Sequence, residues 1–149
     1  MDHEERNAWG AVIASTITFL YFGGRIWEAT VAGIYATDDG LRLWAWDVLW
    51  LMGGGIVITI VVMIAFQILY AIATNTPNPS FITDERDTMI NRRGVQVTLV
   101  VASAGFILAV IMLARGWGAV GALNTILVGM AAGAVAGDLY KIAVYRFGL

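Results

Sequence analysis

The chain contains no cysteine. That excludes disulfides, thiolate-held metals, iron–sulfur clusters, covalently attached haem and any thiol nucleophile. Its one histidine is His3, in a polar N-terminal stretch, which leaves no imidazole to hold a haem or chlorophyll inside a membrane. Lysine occurs once, as Lys141 near the end of the last apolar block, a poor position for a retinal Schiff base. Proline is confined to Pro77 and Pro79. Charge is scarce as well: 13% of residues are charged, against about 25% in a typical soluble domain. No basic tract offers itself to nucleic acid, and the net charge of −2 implies no particular partner.

What is abundant is apolar length. Of the 149 residues, 59% are hydrophobic, and they gather into four blocks near the roughly 20 residues that cross a bilayer as a helix. The blocks are continuously apolar rather than alternating, which argues against a transmembrane barrel. The expected fold is therefore all-α and polytopic: one membrane domain over 1–149, built of four transmembrane helices as two tandem hairpins. The first hairpin is expected at about 8–73, a cytoplasmic linker at 74–87 and the second hairpin at about 88–146. The acidic start, Met1 to Arg6, and the lack of a small-residue cleavage site make the first block a retained span.

Within this frame, span one is expected from about Ala8 to Tyr35. Arg25 and Glu28 interrupt it toward one interface and sit three residues apart, on one helix face. They form a candidate outer-side polar pair, either a snorkelling interfacial pair or a site inside the bundle. Thr37-Asp38-Asp39-Gly40 is a turn signal. Span two is expected from about Trp44 to Ala73, with Asp47 capping or anchoring its first turn. Its Gly53-Gly54-Gly55 run suits close packing or a kink, and no Lys or Ser/Thr completes a phosphate loop. After the two prolines, helix is expected to resume near Asp84, with Asp84 and Asp87 capping its start. Span three follows at about Val95 to Ala114, a turn at Arg115-Gly116-Trp117-Gly118, and span four from about Ala119 to Tyr140.

Span four carries the sharpest packing pattern. Gly121, Thr125, Gly129, Gly133 and Gly137 recur every four residues, a small-residue ridge that lets another backbone approach closely. It is the candidate helix-packing surface, within the bundle or as a homo-oligomer seam. Between the hairpins, Asp84, Glu85, Arg86, Met89, Arg92 and Arg93 form a candidate cytoplasmic docking segment of mixed charge and one apolar side chain.

Charge asymmetry sets the expected orientation. Arg6, Arg86, Arg92, Arg93, Lys141 and Arg146 fall on one side, and Arg25, Arg42 and Arg115 on the other, which places both termini in the cytoplasm. Trp27, Trp44, Trp46, Trp50 and Trp117 would form the outer aromatic belt. The halves also resemble each other: Glu4-Glu5-Arg6 and Asp84-Glu85-Arg86 precede the odd spans, and Leu69-Tyr70 and Leu139-Tyr140 end the even ones, a parallel internal repeat.

The segment Asp84-Glu85-Arg86-Asp87 followed by Ile90 and Gly94, with the ending Lys141-Ile142-Ala143-Val144-Tyr145-Arg146-Phe147-Gly148-Leu149, resembles a group of uncharacterised four-span bacterial inner-membrane proteins. Those carry a D-E-R-D-x-x-I motif before the third span and a K-I-A-x-Y-R-x-G tail. The resemblance covers most of the chain, its distinctive parts being the centre and the tail. It implies the four-span fold, the bacterial inner membrane and a cytoplasmic polar motif, with no catalytic residues. The association of such genes with small helix-turn-helix regulators implies a regulatory pair.

An enzyme needs a base, nucleophile or metal in a sheltered pocket, and no ionisable residue falls near the middle of any apolar block. The expected role is a non-catalytic membrane protein that acts by interaction, without a cofactor, as regulator of a cytoplasmic partner or accessory subunit. The alternative is a small oligomeric transporter or channel, with Asn124 and Thr125 lining a pore.

Overall fold

The computed structural model describes residues 3–74 and 85–148. These form α1 (His3–Thr18), a π turn (Phe19–Gly23), α2 (Gly24–Val31), a 3₁₀ turn (Ile34–Ala36), α3 (Gly40–Thr74), α4 (Glu85–Ala114) and α5 (Ala119–Phe147). Among the described residues there is no strand. The chain is all-α, and α3, α4 and α5 are each long and apolar enough to cross a membrane. Their length follows from uninterrupted runs of Leu, Ile, Val, Ala and Met, whose backbone polar groups must all be satisfied within the helix once water is absent.

The helices pack in the order α3, α1, α5, α4. The most extensive seam joins α4 to α5, and α1 lies between α3 and α5. Because α3 and α5 flank α1 with little direct packing, the layer is open. Its outer helices present Leu49, Val57, Ile64, Leu99 and Ile107 outward, as lipid-facing surface requires. Two ends can be named from the contacts. At the terminal end the start of α1 meets the end of α5, where Glu5 and Arg146 pair. At the hairpin end lie the turns around Tyr35 and Gly116.

Several boundaries differ from those the sequence suggests. Helix α3 starts at Gly40, inside the expected polar loop, because Asp39 already accepts the amides of Arg42 and Leu43. Asp47 therefore lies two turns into α3 instead of capping it, and accepts the Tyr35 hydroxyl at 2.5 Å. Gly40 itself is required: a Cβ there would collide with the Tyr35 carbonyl. The three glycines at 53–55 leave α3 unbroken; Gly54 makes room for the Phe22 ring and Gly55 for the Thr18 methyl. Asp84 lies outside the described residues, and Asp87 accepts the Tyr145 hydroxyl at 2.8 Å, so its side chain ties α4 to α5.

Candidate functional site

The seam between α4 and α5 fixes the position of the start of α4 at the terminal end. A methyl group on Gly133 would stand 2.6 Å from the Thr98 carbonyl oxygen and 3.2 Å from the Ala102 nitrogen. On Gly105 it would stand 2.6 Å from the Gly129 Cα. Gly137 faces the Gly94 carbonyl and the Thr98 hydroxyl. Backbone thus lies on backbone along the length of the seam, where dispersion and close polar contact replace the hydrophobic effect that lipid removes. Gly121 sits more loosely, 3.7 Å from the Met112 methyl by the same measure. Thr125 donates to the Gly121 carbonyl at 2.9 Å and approaches the Met112 sulfur at 3.1 Å.

On this seam rests the start of α4. Ile90 and Gly94 are buried toward α5, and the Asp87–Tyr145 bond holds the first turn. Glu85, Arg86, Met89, Arg92 and Arg93 are exposed. With Ile90 and Gly94 fixing the inward face, the 100° step per residue turns Glu85, Met89 and Arg92 away from α5, while Arg86 and Arg93 flank that face. Arg93 also borders a shallow groove with Gln96, Val97 and Tyr140.

The same end holds a group of polar side chains that composition does not reveal. Glu5 and Arg6 are only 8% and 4% exposed, although a short charged N-terminal stretch reads as solvated. Arg146 Nε lies 3.3 Å from Glu5 Oε1, and its guanidinium stands 5.6 Å from the centre of the Trp9 ring. The Arg6 guanidinium lies 4.5 Å over the Tyr70 ring, close enough for a cation–π interaction. Gln67 donates to the Asn7 side chain at 3.0 Å, and Lys141 pairs with Asp138 at 3.0 Å. The two acidic-Arg stretches that match in sequence therefore sit differently: Glu5 and Arg6 are buried, Glu85 and Arg86 exposed.

At the hairpin end the organising group is Asn124. It accepts from the Trp44 indole at 2.8 Å and donates to the Thr30 hydroxyl at 2.9 Å, and Thr30 in turn donates to the Ile26 carbonyl at 2.7 Å. One amide thus ties α2, α3 and α5 together. Thr16 and Thr59 spend their hydroxyls on the carbonyls four residues earlier, the usual fate of threonine in an apolar helix. Thr18 differs: its buried hydroxyl has no hydrogen-bond partner, and it borders a 520 Å³ groove between α3 and α5 together with Ser15 and Thr59.

Arg25 and Glu28 both lie exposed on α2, without an ion pair between them. Arg25 instead shares a cleft with Asp47. Beside it, Tyr35 is buried in the 3₁₀ turn, and burial first, then the Asp47 carboxylate, push its phenol pKa well above the ordinary value. Tyr35 is therefore a lasting donor to Asp47.

Among the described residues, no group of His, Asp and Glu could hold a metal ion. Sequence reasoning missed Glu5, Arg6 and Tyr35 as interacting groups and gave Asp47 a helix start as its partner instead of Tyr35; the signal available was their being ionisable or phenolic at the edges of apolar blocks. Compared with protein-family profiles, characterised proteins and solved structures, the chain matches none.

Proposed function

We propose that this chain is a non-catalytic integral membrane protein that works by interaction, either regulating a cytoplasmic partner or serving as an accessory subunit. The observation that carries this reading is the start of α4. Asp87, Ile90 and Gly94 clamp it to α5, so it is positioned, while Met89, Arg92 and Arg93 stay exposed. A positioned helix start with mixed charge and one 58%-exposed methionine is a surface a protein partner can read.

Four crossings with both termini and α4's start in the cytoplasm of a bacterium complete the proposal. The α1–π–α2 stretch runs as continuous helix from residue 3 to 31, roughly 43 Å at 1.5 Å per residue, which exceeds the ~30 Å hydrocarbon core. Its antiparallel contacts with α3, at Gly10 with Met63 and at Gly55 with Thr18, support a crossing as deep as that of α3. The surplus of basic residues at the terminal end supports the orientation. Cysteines placed at Asn78, Asp39 and Gly116 test it in intact cells: an impermeant thiol reagent is expected to label positions 39 and 116 and to spare 78.

The interaction itself is tested with the double reversal Glu85→Lys and Arg86→Glu, which keeps net charge. Normal insertion and folding with loss of the co-purifying protein is expected. Retention of the same bound proteins, or their absence from the parent, overturns the reading.

A further inference from the structure

The cleft that holds Arg25 has an arrangement the docking segment lacks. It lies between α2 and α3, measures about 400 Å³, and is lined by Tyr21, Phe22, Arg25, Ile26, Asp47 and Trp50. Glu28, the sequence neighbour that spacing offers to Arg25, does not line it. Arg25 and Asp47 do, yet they form no ion pair; among the described residues the pairs formed are Lys141–Asp138 and Arg146–Glu5.

Beside them Tyr35, buried in the 3₁₀ turn, donates to Asp47 Oδ2. Oδ1 is left with no donor among the described residues, and all five N–H donors of Arg25 remain to be used. Two opposite charges thus face one space without neutralising each other. Charged side chains in or beside a membrane-spanning segment mark a candidate functional site.

The walls add chemistry of their own. Tyr21 meets Phe22 edge-to-face with ring centres 4.9 Å apart, and Tyr21 and Trp50 remain largely exposed, so their π faces are available to a cation. A planar guanidinium fork matches the oxygens of a phosphate or carboxylate. A free carboxylate oxygen accepts from an ammonium. The volume falls in the range of small-ligand sites, and Trp50 in its wall belongs to the expected outer aromatic belt, at the level where aromatic side chains meet lipid headgroups.

We propose that this cleft binds a zwitterion in which a phosphate or carboxylate is tethered to a primary ammonium, with Arg25 holding the anion and Asp47 Oδ1 accepting from the ammonium. At this depth the lipid source of that chemistry is a phosphatidylethanolamine headgroup; the soluble source is a free molecule of the same kind, such as phosphoethanolamine. The proposal does not depend on the role assigned to α4.

Native mass spectrometry of the full chain in mild detergent tests it. The protein is titrated with phosphatidylethanolamine, phosphatidylcholine or phosphatidylglycerol, and separately with phosphoethanolamine. Phosphatidylethanolamine is expected to bind about tenfold more tightly than phosphatidylcholine, which lacks N–H donors, or phosphatidylglycerol, which lacks the cation. Asp47→Asn is expected to abolish that preference, Arg25→Gln to weaken phosphatidylethanolamine binding about tenfold, and Glu28→Gln to leave both intact. Arg25 is exposed and makes no hydrogen bond, so its replacement leaves folding unchanged, which circular dichroism verifies. If phosphoethanolamine binds with the same dependence on both residues while the lipid does not, the site stands and its source is soluble. Equal binding of the three lipids without phosphoethanolamine binding, a preference that survives in folded Asp47→Asn, or parent-like affinity in folded Arg25→Gln, overturns the proposal.

Discussion

Two of the helix seams in this protein use glycine in different ways. Between α4 and α5 the glycines face backbone: Gly133 opposes the Thr98 carbonyl and Gly105 opposes Gly129. Between α1 and α3 they face side chains: Gly54 receives the Phe22 ring, and Gly10 lies against the Met63 sulfur. A backbone cannot step aside without moving the helix, whereas a ring or a thioether can rotate. The first seam is therefore a fixed distance and the second an adjustable one. Hence the α4 start, which rests on the fixed seam, is the better-positioned surface, while the cavity lined by Phe19, Ile26 and Leu51 borders the adjustable one.

Substitutions sharpen or break this contrast. The largest effect is expected at Gly133→Leu, where the side chain must force α4 from α5; overpacking of this kind costs about 3 kcal/mol. Unfolding in a denaturing detergent measures it, and parent-like stability would remove the distinction between the seams. Next comes Asn124→Leu, which deletes the amide joining α2, α3 and α5. Loss of two membrane hydrogen bonds is expected to cost about 1–2 kcal/mol, with the Trp44 emission shifting as its indole loses a partner. Gly54→Ala should cost about 1 kcal/mol, the low end for overpacking, because only the Phe22 ring must move, and Phe22→Leu in the same chain should restore the parent value. The smallest change is expected from Tyr145→Phe, about 0.5–1 kcal/mol for one hydrogen bond, together with faster amide exchange in the first turns of α4.

Much of the fold is legible in the sequence because lipid leaves few choices: a run such as Ile56 to Ala73 in α3 can only be helix. The four-residue spacing of Gly121 to Gly137 is likewise legible as a stripe. What covers it is not, since Gly94, Thr98 and Ala102 resemble many other short small-residue stretches. The polar groups were the least legible. Glu5 and Arg6 look like a solvated start, yet Tyr70 and Arg146, distant in the chain, stack on and pair with them. Asp47 looks like a helix cap until Tyr35 is placed beside it. Asn124 finds partners 80 and 94 residues away. Spacing along one helix cannot report such partnerships, which depend on how four helices are set side by side.

The π turn at Phe19–Gly23 has a consequence for inheritance as well as for shape. A π turn accommodates one residue more than the α-helical path it replaces, and each residue advances an α-helix by about 100°. Deleting one residue from this turn would restore the α-helical path and leave α1 and α2 on their present faces, whereas the same deletion in a regular α-helix would rotate all that follows by that angle. The turn is thus a place where the chain can lose one position and still set Arg25 beside Asp47, so a chain shortened by one residue between 19 and 21 would be expected to keep the site, and one shortened at Gly24 to lose it.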